Sequence, residues 1–224
     1  AFRACGGGGC GFEPIVGAPA ARYLGKFGDY VVALTEDGEF AWCANGDVLD
    51  WTTGDSGLIA PQSNSDSIDS LMGFAPLSNS VGALSRQRSI NRAILTGNPL
   101  QSIGVISWLE GIGTESPFSI QLFDGGILFL GDDLMVYYLT ETAITPVGDQ
   151  IRQYLVENLT SNLHLVDSVF DQVLGEYLLG IPENNATNVT KVWYFDHRRF
   201  LQRKEIVWRP RTLIVQRLGI VSQL

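Results

Sequence analysis

The chain has 224 residues, 45% of them hydrophobic, 10% aromatic and only 17% charged, with 25 Gly and 9 Pro. A soluble domain usually carries about 25% charged residues, so the surface is short of charge, and this much apolar side chain excludes intrinsic disorder. A net charge of −9 argues against a general nucleic-acid binder, and no apolar run reaches the ~18 residues of a membrane-spanning helix.

Residues 1–21 are rich in glycine and read as an irregular arm. They begin Ala1-Phe2 with no basic segment ahead of an apolar one, the pattern of a processed chain or a fragment without a signal peptide. Cys5 and Cys10 bracket four glycines and could close a small disulfide loop, or stay reduced like Cys43. Three cysteines make no secreted disulfide framework. A zinc site needs about four ligands and only His164 and His197 remain to help, so no metal is expected.

From Arg22 the pattern is short strands and frequent turns. Asp29–Thr35 is apolar, Asp37-Gly38 makes a hairpin turn, and Phe40-Ala41-Trp42 returns. Asn45-Gly46-Asp47 turns again. Phe118–Phe123, Ile127–Leu130 and Leu134–Leu139 are further strands, separated by Asp124-Gly125-Gly126 and Gly131-Asp132-Asp133. Asp149–Leu159 breaks the series: Ile151, Tyr154, Leu155 and Leu159 recur at helical spacing, which predicts a short amphipathic helix. Val166–Phe170, Glu176–Ile181, Lys191–Phe195 and Phe200–Trp208 resume the strands, and Thr212–Arg217 reads as the last.

The strand groups recur. Segments opening at Phe27, Leu77, Phe123 and Phe170 each run from an apolar residue through a polar or glycine turn into an apolar strand, at offsets of 50, 46 and 47 residues. A unit of ~40–50 residues with about four strands is the size of a propeller blade. The fold expected is all-β and β-propeller-like, about four blades of ~47 residues over residues 22–208 with one short helix, ending in a basic strand or arm over 209–224. A β-sandwich is the alternative.

Motifs that could carry chemistry fall away one by one. Gly54-Asp55-Ser56-Gly57 has the form of a serine-protease nucleophile segment, but both histidines follow Ser56, against the order of that fold, so a polar turn is expected. The glycines at 6–9 and 111–113 lack the following helix of a phosphate loop. Asp132-Asp133, and Asp66 with Asp69, are close in sequence without the separation a glycosidase needs. Three sequons (Asn158, Asn185, Asn188) sit in Asn/Thr-rich sequence. No catalytic, cofactor or metal residues are expected, and no enzyme. Trp42, Trp51 and Trp108 would stack on sugars in a carbohydrate-binding propeller (a lectin or receptor-binding module); as blade-core residues they would not.

The remaining signal is charge. Residues 1–189 hold 7 Lys/Arg against 22 Asp/Glu, and residues 190–224 hold 8 against 2. Such segments attract each other or matching surfaces on neighbouring subunits. The basic cluster is Arg198, Arg199, Arg203, Lys204, Arg209 and Arg211, expected on a hairpin turn and edge strand, and it is the candidate subunit interface. Twelve of the 15 basic residues are Arg, whose planar fork suits buried interfaces. A smaller cluster is Arg86, Arg88 and Arg92.

The run Pro19-Ala20-Ala21-Arg22-Tyr23-Leu24, then Phe27-Gly28-Asp29-Tyr30-Val31-Val32, Phe40-Ala41-Trp42, Asp50-Trp51, Gly126-Ile127-Leu128-Phe129-Leu130-Gly131, Pro146-Val147-Gly148-Asp149-Gln150-Ile151 and Val192-Trp193-Tyr194-Phe195-Asp196 resembles the β-propeller region of tail nozzle (tail hub) proteins of short-tailed bacteriophages, over about residues 19–208. Cys43 stands where that pattern has Ser. The resemblance implies a structural virion protein in the phage tail: a homo-oligomeric ring, a hexamer, below the portal and adaptor. The ring would carry tail fibres and pass double-stranded DNA during ejection. It implies no cofactor and no membrane-spanning segment.

Overall fold

The computed structural model of the chain describes residues 2–4, 12–60, 69–123, 125–159 and 161–211. The chain divides into two compact units, residues 1–110 and 111–224, a division that falls inside the expected 22–208 stretch. In the first unit β1 (Phe2–Ala4) and β2 (Phe12–Pro14) pair antiparallel, so an arm expected to be irregular carries a two-stranded ribbon. A ladder needs only backbone N–H and C=O groups, which the residues flanking the glycine run supply. Cys5 and Cys10 lie outside the described residues.

Two four-stranded sheets follow: β3 (Ala21–Phe27), β4 (Tyr30–Thr35), β5 (Phe40–Trp42) and β6 (Gly57–Ile59), then β7 (Leu71–Pro76), β8 (Val81–Arg86), β9 (Ser89–Leu95) and β10 (Ile103–Glu110). The second unit repeats the plan with β11 (Gln121–Phe123), β12 (Gly126–Leu130), β13 (Val136–Leu139) and β14 (Ile144–Pro146), then β15 (Asp167–Asp171), β16 (Glu176–Ile181), β17 (Lys191–Asp196) and β18 (Trp208–Arg211). All four sheets are antiparallel meanders in chain order. They begin at Ala21, Leu71, Gln121 and Asp167, offsets of 50, 50 and 46 residues. The fold is therefore all-β and β-propeller-like, with four blade-like sheets among the described residues. Meander order, without Greek-key crossovers, sets it apart from a β-sandwich. Within each unit the first strands lie against each other, β3 on β7 and β11 on β15, as the inner strands of adjacent blades do.

Burial follows strand position. The second strand of each sheet has a neighbour on either side, and β12 is buried along its whole length. This is why these strands read as continuous apolar runs rather than as alternating ones. The turn into β4 needs glycine: Gly28 has φ +58°, and a Cβ there would lie 2.7 Å from Leu95 Cδ1. The first unit's core joins its two sheets through Phe27, Phe40 and Phe74, with ring centroids 5.4 Å apart for Phe27–Phe74 and 5.3 Å for Phe40–Phe74. Burying each ring contributes about 1.5–3 kcal/mol before entropy is counted. The second unit's core gathers Phe123, Leu128, Tyr177, Phe195, Phe200 and Trp208 with a helical face.

That face belongs to α1 (Asp149–Asn158), which buries Ile151 and Leu155 as its spacing predicts. Gln150 on α1 holds β18 like a piece of backbone. Its Nε2 donates to the Ile206 carbonyl at 2.7 Å, and its Oε1 accepts the Trp208 N–H at 3.0 Å. Trp208 Nε1 donates to the Val147 carbonyl at 2.6 Å.

Three expected elements change. The strand expected over 200–208 and the hairpin turn expected before it are replaced by α2 (His197–Arg203), with β18 only from Trp208. Asp196 caps α2 by accepting the Arg199 N–H at 3.0 Å, and Lys204 ends it at φ +57°. Residues 197–205 hold strong helix formers and no β-branched residue, so local propensity decides. The strand expected at Phe118–Phe123 begins instead with a 3-10 turn, Pro117–Ser119, and only β11 is extended. Proline fits the first position of such a turn. The boundary expected at 208/209 falls inside β18, and the strand expected at 212–217 lies outside the described residues.

Candidate functional site: the basic surface of α2 and β18

The six candidate interface residues lie on α2, its C-cap and β18 of the second unit, in two groups. Arg198, Arg199 and Arg211 have partners inside the unit. The stem of Arg198 crosses Gly175, where any Cβ would meet Arg198 Cγ at 2.6 Å, and its guanidinium donates to the carbonyls of Val173 and Gln172. Arg199 Nε lies 3.1 Å from Asp196 Oδ2, and Arg211 Nη2 lies 3.3 Å from Glu176 Oε2 with its guanidinium 4.8 Å over the Tyr194 ring. Arg203, Lys204 and Arg209 are exposed, with the Lys204 ammonium 5.5 Å above the Phe200 ring. Three of the six therefore brace α2 and β18 against their own sheet, and five, Arg198 and Arg199 among them, are exposed.

What positions α2 is His197, buried at 4% exposure among aromatic rings, with Phe123 at 4.1 Å and Tyr138 at 5.5 Å between centroids. Its backbone N–H donates to the Gly175 carbonyl at 3.1 Å. His197 thus works as packing, and the sequence carried no sign of the cage.

The other candidates resolve into structural roles. Asp55 is a hub of the first unit: its Oδ2 accepts from the Tyr30 hydroxyl at 2.7 Å and its Oδ1 from the Asn45 N–H at 2.8 Å. Its carbonyl accepts from Trp42 Nε1 at 2.9 Å and from the Ser102 hydroxyl at 2.8 Å. The Asn45 N–H and the Tyr30 hydroxyl hold its carboxyl below the ordinary Asp range, and burial together with that same bond pushes the Tyr30 phenol up. Ser56 donates to the Thr53 carbonyl at 2.7 Å, and both histidines belong to the other unit, so the protease-like segment is the polar turn its sequence predicts. Asp132 and Asp133 cap a tight turn, accepting from the N–H groups of Gly113 at 3.2 Å and Met135 at 3.0 Å. Asp133 also takes the Tyr137 hydroxyl, which with burial as the larger cause pushes that phenol up to about 12. Asp69 accepts from Arg88 N–H and the Ser89 hydroxyl; Asp66 lies outside the described residues.

Cys43 is a buried free thiol that accepts the Val31 N–H at 3.1 Å, and burial pushes its pKa up. Among the described residues no group of three His, Cys, Asp or Glu could hold a metal, and no helix is long and apolar enough to cross a membrane. Trp42 is buried in the core, Trp51 bonds the Val48 carbonyl at 3.0 Å, and Trp108 is covered by the Arg92 guanidinium at 4.0 Å. These three rings do not make an open aromatic pocket.

No family model matches the chain, and no curated protein matches it. Among solved structures, the chain is similar to the crystal structure of the N-terminal domain of Nup159, at 8% identity and a TM-score of 0.48. The match covers 87% of this chain and 48% of that one, so the chain spans about half of that structure's length.

Among the described residues, two cavities lie where the sequence carried no signal. One, of about 560 Å³ in the first unit, is lined by Lys26, Asp29, Tyr30, Asn45, Asn79 and Ser102. The other, of about 350 Å³ in the second, is bounded by Phe118, His164 and Asp167 and by the 187–189 loop. The exposed Phe118 could have been suspected only from Pro117, which signals a turn in place of a buried strand.

Proposed function

We propose that the chain is a structural virion protein, one subunit of a ring-shaped tail nozzle of a short-tailed bacteriophage. In this reading the ring extends and gates the DNA channel below the portal and adaptor and anchors tail fibres. The observation that carries the reading is the exposed part of the basic cluster whose side chains make no ion pair or hydrogen bond among the described residues. Arg203, Lys204 and Arg209 are exposed on α2 and β18, whereas 22 of the 24 acidic residues precede residue 190. A cationic edge and acidic remainder on one chain suit head-to-tail contacts between identical subunits, the kind of interface that closes into a ring. The nozzle-like segments support it further. Phe27-Gly28-Asp29-Tyr30 forms the β3–β4 turn, and Val192–Asp196 lies in β17. An acidic channel wall would repel the phosphate backbone and let DNA slide without sticking.

The test is the mass of the purified chain in solution, alone and with Arg203→Glu, Lys204→Glu and Arg209→Glu combined. The expected outcome is a sixfold ring that the triple reversal breaks into monomers with an unchanged thermal midpoint. Raising the salt to 1 M, where the Debye length shrinks to about 3 Å, should weaken the wild-type ring as well. A wild-type ring that the reversal and the salt leave untouched overturns the role of this surface.

A further inference from the structure

The second unit's cavity has a use that ring assembly does not supply. Its volume, about 350 Å³, is in the lower part of the range of small-molecule sites, about 300–1,000 Å³. At its edge Phe118 stands 65% exposed in the Pro117–Ser119 turn. A single exposed phenylalanine is ordinary, but this one is anchored in a built surround. The Phe118 carbonyl accepts the Ser168 hydroxyl at 2.7 Å, and the Ser168 N–H donates to Asp167 Oδ1 at 2.8 Å. One serine therefore fixes the segment bearing the ring relative to the carboxylate. The Ser116 hydroxyl donates to the Leu163 carbonyl at 2.6 Å, tying the same turn to the Leu163–Leu165 turn that carries His164. Asn162 Nδ2 donates to the Ala186 carbonyl at 3.1 Å and holds the loop with Thr187 and Asn188. Three separate segments are thus cross-tied around one cavity, the preorganisation that lowers the entropic cost of binding.

The lining selects the ligand. Among the described residues Asp167 lines the cavity and no Lys or Arg does, with His164 beside it, so a carboxylate there disfavours strongly anionic groups such as phosphate and sulfate. A wholly apolar ligand would strip water from Asp167, Thr187 and Asn188 and give nothing back. What fits is a molecule with an apolar C–H face for the ring and a rim of neutral hydroxyls for the carboxylate, carboxamide and hydroxyl. We infer that this cavity binds a neutral saccharide, one pyranose ring against Phe118 with adjacent hydroxyls on Asp167 and Asn188. The inference stands apart from the nozzle reading and from Trp42, Trp51 and Trp108.

The probes are maltohexaose, cellohexaose, chitohexaose and mannohexaose, with a sulfated galactose oligosaccharide as the anionic counterpart. Each is titrated into the intact chain by calorimetry and saturation-transfer NMR. At least one neutral probe is expected to bind, with Phe118→Ala and Asp167→Asn each weakening it about tenfold and Phe118→Trp retaining it. Because the ring is exposed, Phe118→Ala keeps the wild-type thermal midpoint. No neutral binding at millimolar concentration, binding that survives both substitutions, or binding of the sulfated probe alone overturns the inference. The oligomeric mass of the same samples is read in parallel, so a failure here is distinct from a failure of the ring.

Discussion

The two units share a sheet plan and close their interiors differently. In the first, two sheets meet through phenylalanines and the loops are gathered by one carboxylate, Asp55, which takes up Tyr30 and Asn45. In the second, two helices among the described residues lie beside the sheets, the Tyr177 hydroxyl donates to the Ser119 carbonyl at 2.8 Å, and His197 sits in its aromatic cage. The difference teaches that a meander repeat fixes strand order but leaves each blade pair to satisfy its own buried polar groups. One does so with a charge at the loop ends, the other with added helix and aromatic surface.

The largest effects should come from the cores. Phe74→Ala in the first unit and Phe195→Ala in the second should each cost about 3–5 kcal/mol. Hydrogen exchange should show protection lost first in the sheets of the unit carrying the change. Loss spread evenly over both units in both variants would break the comparison. Tyr177→Phe comes next, because it leaves the Ser119 carbonyl buried without its donor, at about 1–3 kcal/mol, read from urea midpoints.

Asp55→Asn should cost a similar or smaller amount and should sharpen the contrast through pH. The Asp55 carboxyl is held below its ordinary value in the folded chain. Its contribution is therefore fully present above the unfolded value of about 3.9 and is lost as pH falls through the lower folded value. Urea midpoints of wild type should fall across that window, and those of Asp55→Asn should fall less. An identical acid profile would remove Asp55 from the account. The smallest effect belongs to Arg199→Ala, whose partly exposed pair with Asp196 should be worth about 0–1 kcal/mol by thermal melting.

Much of this plan was legible in the sequence because it rests on local signals. The glycine turns at Gly28 and Gly38, the apolar run at 127–130 and the spacing of Ile151 and Leu155 each dictate their element within a few residues. What was hidden depended on contacts distant in sequence. The stretch after Asp196 reads in sequence as a hairpin turn and a strand over Phe200–Trp208, although the Asp196 cap and the helix formers over 197–205 favour α2. Asp55 looked like an ordinary turn residue, since its four partners come from residues 30, 42, 45 and 102. The bracing of Arg198 and Arg211 depends on Gly175, Glu176 and Tyr194, none of which the charge pattern names.

The proposed ring is tested most directly by particle mass from electron microscopy and sedimentation at micromolar concentration. A closed sixfold ring that falls apart when Arg203, Lys204 and Arg209 are reversed in charge is the result expected. A monodisperse monomer at every concentration and salt would contradict it.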